Sequence, residues 1–163
     1  MEAGPTAPSV PASRAHAWFL QARVAEGLGD EAMAMRGMGW AERLDRDDPG
    51  LARQLVDHAR RQGDHRAMLD HALDALDAAP EQAPCALPWA HRAAADAWLE
   101  LGHSGDARRH LDLLAGGGCR YVGGEVAWAH RTGDAPTATR ALAQWAPVGP
   151  VERLDAAGRA LAL

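Results

Sequence analysis

The sequence contains no lysine and no asparagine, one tyrosine, one phenylalanine and only two cysteines among 163 residues. All 17 basic residues are therefore arginine, and alanine is abundant, the composition expected of a GC-rich, bacterial coding sequence. A net charge of -5, with acids and arginines interspersed, leaves no concentrated positive field for neutralising phosphates, so no nucleic acid is expected as a partner. No apolar run approaches the roughly 20 residues that span a bilayer, so no membrane role is expected. The opening "MEAGPTAPSVPAS" carries three prolines and no apolar core. It is neither a signal peptide nor a helix, and residues 1–14 are expected to form a disordered tail of a cytoplasmic protein. Cys85 and Cys119 are isolated in a chain large enough to build its own core, so two free thiols are expected.

Chemistry-bearing patterns are equally sparse. The histidines His58, His65, His71, His91, His103, His110 and His130 never recur at the three- or four-residue spacing of helical zinc ligands. His65 and His103 read as solvated helix-start or turn residues, and His110 as a helix-surface residue. The acidic run "DRDDPG" (45–50) passes straight into a proline, without the alternating ligands and closing glutamate of a calcium loop. "LAGGGCR" (114–120) lacks the lysine and hydroxyl residue of a phosphate-binding loop and reads as a helix terminator. Cys119 as a nucleophile would need His130, which lies roughly 16 Å along one helix at 1.5 Å per residue. The reading is of no cofactor, no metal and no catalytic residue.

What is present is repetition. A Gly-Asp turn appears as "GLGDEA", "RRQGDHRA" and "RTGDAP", and Gly29 and Gly63 are 34 residues apart. Glycine ends a helix by entering the left-handed conformation without a side-chain penalty, and Asp30, Asp64 and Asp134 can then cap the next helix. Helix hairpins result, in units of about 15–48, 49–82, 88–118 and 119–150. Residues 81–88 form a proline-marked longer loop, and 151–163 a further capping helix. Small and apolar residues recur at fixed places. Trp18, Ala22, Ala34 and Ala41 mark the first unit, and Leu55, Met68, Ala72, Ala75 and Pro80 the second. Ala94, Ala95, Trp98, Ala107, Leu111 and Leu114 follow in the third, and Val126, Ala129, Ala138, Leu142, Trp145 and Pro150 in the fourth. Gly123 and Gly124 each weaken a helix interior by about 1 kcal/mol.

A large residue early in the first helix, small residues at three contacts and a closing proline on a 34-residue period resemble the tetratricopeptide repeat. The first unit departs from it, with Arg46 where the proline belongs. The resemblance implies an all-α fold, an α-solenoid of antiparallel hairpins wound as a right-handed superhelix, forming one domain over 15–163. It also implies a concave groove lined by the first helices, in which a partner peptide or protein segment lies. Carried over by position, the groove residues are His16, Phe19, Arg23 and Glu26; Arg53, Asp57, Arg60 and Arg61; Trp89, Arg92, Asp96 and Leu99; and Arg120, Ala127, His130 and Arg131. The subgroup that grips a C-terminal carboxylate does so with lysine and asparagine as well as arginine, which this chain cannot supply.

The expected function is a non-catalytic interaction module or adaptor whose arginines select an acidic segment of another protein. A peptide- or ligand-sensing regulatory domain and a self-assembling scaffold are the alternatives. The methionines Met33, Met35 and Met38, with Trp40 beyond them, carry the homo-oligomer alternative, since only Met38 is expected to face the core. Trp18, Trp98, Trp128 and Trp145 are expected to pack between helices, leaving Trp40 and Trp89 freer for contact.

Overall fold

A computed structural model describes residues 10–44, 48–80 and 82–144, and these form eight helices with no strand among them. The contacts group the chain into two compact units, Met1–Ala79 and Pro80–Leu163, dividing at the proline that closes the second hairpin. The sequence reading had one domain over 15–163. The expected capping helix 151–163, with Trp145 and Pro150, lies outside the described residues.

Unit 1 holds α1 (Val10–Gly27), α2 (Glu31–Leu44), α3 (Pro49–Gln62) and α4 (His65–Asp77). α1 begins inside the segment expected to be a tail; Pro11 falls in its first turn, where a missing N–H costs no helical hydrogen bond. α1 packs along α2 and α3 along α4, and α3 touches α2. The core gathers Ala15, Phe19, Ala41, Leu51 and Leu55, with Trp18 and Met38 against it. Ala22, Ala34 and Ala41 on the first hairpin and Met68, Ala72 and Ala75 on α4 are buried.

Unit 2 holds α5 (Pro88–Glu100), α6 (Ser104–Gly116), α7 (Val122–Thr132) and α8 (Ala135–Ala143). α5 pairs with α6 and α7 with α8, and α7 also lies against both α5 and α6. Ala94, Ala95, Ala107, Leu111, Leu114 and Ala129 are buried as expected. Leu142, expected to face inward, is 43% exposed, and Ala141 beside it is the buried residue of α8. Gly123 and Gly124 stand in the first turn of α7, not in its interior. A Cβ on Gly124 would come within 2.5 Å of the Tyr121 ring and 2.8 Å of Leu111, so its bare backbone is what lets α7 approach α6.

The hairpin turns are built as the repeated Gly-Asp pair requires. Gly29, Gly63 and Gly133 have φ of 78°, 70° and 73°. The carboxylates of Asp30, Asp64 and Asp134 accept from the backbone N–H of Met33, Ala67 and Thr137 at 3.0, 2.9 and 3.1 Å. Each cap satisfies one of the donors that a helix start leaves orphaned.

Close helix contact predicts opposite outcomes for one substitution at two sites on α2. A Cβ on Gly37 would fall 2.8 Å from Ala22 Cβ and 3.0 Å from the Trp18 carbonyl, whereas one on Gly39 meets only the Arg43 guanidinium at 3.6 Å. Gly39→Ala should stabilise by up to about 1 kcal/mol through helix propensity. Gly37→Ala should destabilise by about 1 to 3 kcal/mol through overpacking, and urea melts of the two variants should move in opposite directions.

Candidate functional site

In unit 1 the first helices of successive hairpins meet through polar side chains. Glu26 on α1 is the centre. Its carboxylate accepts from Arg23 Nη1 at 2.6 Å and from the Gln62 side-chain amide, and His58 Nδ1 stands 3.4 Å away. That last pair has the spacing of an ion pair but not hydrogen-bond geometry, since His58 Nδ1 is buried without a hydrogen-bond partner. Burial pushes the His58 pKa down, more than the Glu26 charge raises it. At the other end of α1, Gln54 Nε2 lies 3.3 Å from His16 Nε2, and Asp48 stands 3.8 Å from the same ring. Asp48 also caps α3 by accepting from Gly50 N at 2.8 Å, a structural task for one carboxylate of the acidic connector.

Of the groove positions carried over to this unit, His16, Arg23 and Glu26 take part in this contact. Arg53 and Arg61 are exposed on α3, and Arg60 pairs with Asp57 one turn away at 3.5 Å. Phe19 is a correction: it is only 6% exposed and belongs to the core with Leu51 and Leu55, because the chain's one phenylalanine fills the space that small alanines leave.

In unit 2 the corresponding faces meet around Tyr121. Its hydroxyl donates to Asp96 Oδ2 at 3.2 Å and its ring lies 5.4 Å beneath the Arg92 guanidinium. Arg131 on α7 reaches Glu100 on α5 at 2.9 Å. Arg120 grips Glu125 by two 2.6 Å bonds and donates to Gln144; Glu125 is buried, so its charge is matched by a bidentate partner as burial demands. Trp89 and Ala127 are half-buried and His130 is exposed, while Leu99 is in the core and not on a groove wall. Trp128 donates to the Ser104 carbonyl at 2.8 Å under Arg108. Trp40 stacks on Trp18 with ring centroids 6.2 Å apart, and the Arg43 guanidinium lies 4.6 Å from the centre of the Trp40 ring.

Two pairings escaped the sequence reading. Cys85 and Cys119 are joined in a disulfide with Cα atoms 5.6 Å apart, which replaces the two free thiols expected. Each cysteine stands three residues before a first helix, α5 or α7, and their separation of 34 is the repeat period itself, a signal that could have paired them. His110, expected on the helix surface, is half-buried and paired. Its Nδ1 lies 3.0 Å from Nδ1 of His91, a distance at which one neutral ring donates to the other. Folding the hairpin about Gly102 sets Trp98 beside His103, and His91 beside His110 two turns further out. No group of three metal-ligating side chains occurs among the described residues. No helix among them is long and apolar enough to cross a membrane.

No protein-family model matches the sequence, and no curated protein is similar enough to count as a relative.

Both missed pairings have measurable consequences. Closing a loop of 34 residues, the disulfide should stabilise by about 3 to 4 kcal/mol through the unfolded chain. The Cys85→Ser, Cys119→Ser variant should lose that much in urea denaturation, as should the wild type in reductant. Burial, and then the neighbouring His91, push the His110 pKa from its ordinary 6.5 down to about 4, against a smaller opposing pull from Asp106. The unfolded chain therefore binds this proton first, and stability falls as pH drops from about 6.5 to 4. His110→Gln, which keeps a hydrogen-bonding group but cannot take up a proton, should flatten that part of the stability–pH curve.

Proposed function

We propose that the chain is a non-catalytic interaction module, a tetratricopeptide-like right-handed superhelix whose first helices line a groove for an acidic segment of a partner protein. One observation carries this reading: in each unit the first helices of consecutive hairpins are joined by polar and charged side chains. Glu26 with His58 and Gln62 does this in unit 1, and Asp96 with Tyr121 and Arg131 with Glu100 in unit 2. Such faces offer hydrogen-bonding groups to an extended chain without dismantling the apolar contacts that hold each hairpin. Arginine suits the role, because its planar fork engages carboxylates bidentately.

The Cys85–Cys119 disulfide favours an oxidising compartment over the cytoplasmic location expected from the sequence, since cytosolic thiols are generally kept reduced. In this reading the partner is met outside the reducing cytosol.

The test uses a labelled glutamate-rich peptide and fluorescence anisotropy. Arg53 and Arg92 are both exposed, so reversing them together leaves the core intact. Arg53→Glu with Arg92→Glu should weaken binding at least about tenfold, roughly 1.4 kcal/mol, with an unchanged helical circular-dichroism spectrum. Added salt should weaken the wild-type complex too. Binding indifferent to both changes would show that these arginines form only a solvated face.

A further inference from the structure

One face of α1 has the composition of an interface and is exposed. Leu20, Val24 and Leu28, spaced by four along the helix, are 62%, 63% and 80% exposed. Ala17 and Gln21 lie beside them on the same face and are exposed as well. None of the five is ionisable.

Internal repetition shows what this face does elsewhere in the chain. Shifted by the 34-residue period, it becomes Leu51, Gln54, Leu55, His58 and Gln62 of α3. There Leu51 and Leu55 enter the core, Gln54 reaches His16, and His58 and Gln62 reach Glu26 of α1. Aligned instead on the turn glycines Gly29 and Gly133, it becomes Tyr121, the residue before α7, and Gly124, Glu125, Trp128 and the exposed Thr132 of α7. That face is closed against α5 and α6 through Asp96, Leu111 and Ser104. In the second hairpin of each unit, then, this is the face by which a first helix sits on the hairpin before it. On α1 the same positions are exposed, and Leu20, Val24 and Leu28 stand where α3 has Gln54, His58 and Gln62.

We infer that two copies of this chain associate through this face, α1 against α1 about a twofold axis. Charge selects that occupant. A face without an ionisable group brings no like charges together when it meets itself, and only the Gln21 amide must be desolvated. Geometry agrees. Leu20, Val24 and Leu28 form one ridge along the i±4 row, with the shallower row of Ala17 and Gln21 beside it. Two identical helices can mesh such ridges and grooves at the commonest crossing angle, and a twofold interface requires just this self-complementarity. The dimer is independent of whatever occupies the proposed groove.

The experiment is sedimentation velocity on the full chain across about a hundredfold range of concentration, with wild type, Val24→Glu and, as a control on the other exposed apolar edge, Met35→Glu. Wild type and Met35→Glu should convert from monomer to dimer at the same concentration, and Val24→Glu should require at least about tenfold more protein. A second variant, Val24→Cys, reports the symmetry, because only a twofold pairing brings position 24 against itself. Mild oxidation should give a covalent dimer linked 24 to 24. A wild type that stays monomeric throughout, an association that Val24→Glu leaves unchanged, or a dimer that fails to cross-link through position 24 would each overturn the inference.

Discussion

The structure depends on one local device, a six-residue reversal in which a helix ends on a left-handed glycine. In its closed form the N–H following the glycine bonds back to the carbonyl five residues earlier. Asp30 donates to Ala25, Asp64 to Ala59, His103 to Trp98, Cys119 to Leu114 and Asp134 to Ala129, all at 2.8 to 3.0 Å. The glycines between them, Gly29, Gly63, Gly102, Gly118 and Gly133, are the positive-φ residues of the described chain. Because each reversal satisfies carbonyls that a helix end would otherwise leave open, it fixes both where a helix stops and the direction in which the chain departs. Where aspartate follows, the same turn also caps the next helix, so two residues specify an antiparallel pair.

Hairpins made this way bury little by themselves. Their contact lines are dominated by alanine and glycine: Ala22 against Gly37 in the first, fully buried Ala93, Ala94 and Ala107 in the third. Small residues bring backbones close but remove little apolar area, and stabilisation scales with that area. The larger buried side chains, Leu51, Val56, Met68, Leu69, Leu111 and Leu114, have to supply what the alanines do not. Leu51 joins residues of both hairpins of unit 1, and Leu111 meets α7 at Gly124. Association between hairpins is therefore part of the stability of each, which is the energetic meaning of a repeat.

This division explains what the sequence discloses. Turn glycines, capping aspartates and small contact residues act locally, so their spacing gives the hairpins, and Ala72, Ala107 and Ala129 fall where the period puts them. Side chains that act across helices are harder. Phe19 was assigned to a groove by position, yet its ring is buried in the core with Leu51 and Leu55. His91 and His110 carry no motif, because their relation is the register of two antiparallel helices and not a spacing along one. Glu125 resembles any helix-start carboxylate until its burial and the Arg120 fork are seen. Position within a helix is periodic and legible; the partner across the interface is a property of packing.

The two units also secure their successive first helices by different chemistry. In unit 1 the polar link is Glu26, shared among Arg23, His58 and Gln62, a set of charge-assisted and polar contacts. In unit 2 the segments entering α5 and α7 are held by the covalent bond between Cys85 and Cys119, with Tyr121–Asp96 and Arg131–Glu100 further along. A carboxylate network can open and re-form within the lifetime of the folded state, whereas the disulfide cannot without a reductant. The first two hairpins are thus joined by polar side chains beside the core of Leu51 and Leu55, and the last two carry in addition a covalent bond that only a reductant opens. Two hairpin pairs built on one turn come to answer to different conditions, because the residues that link them are not repeated with the turn.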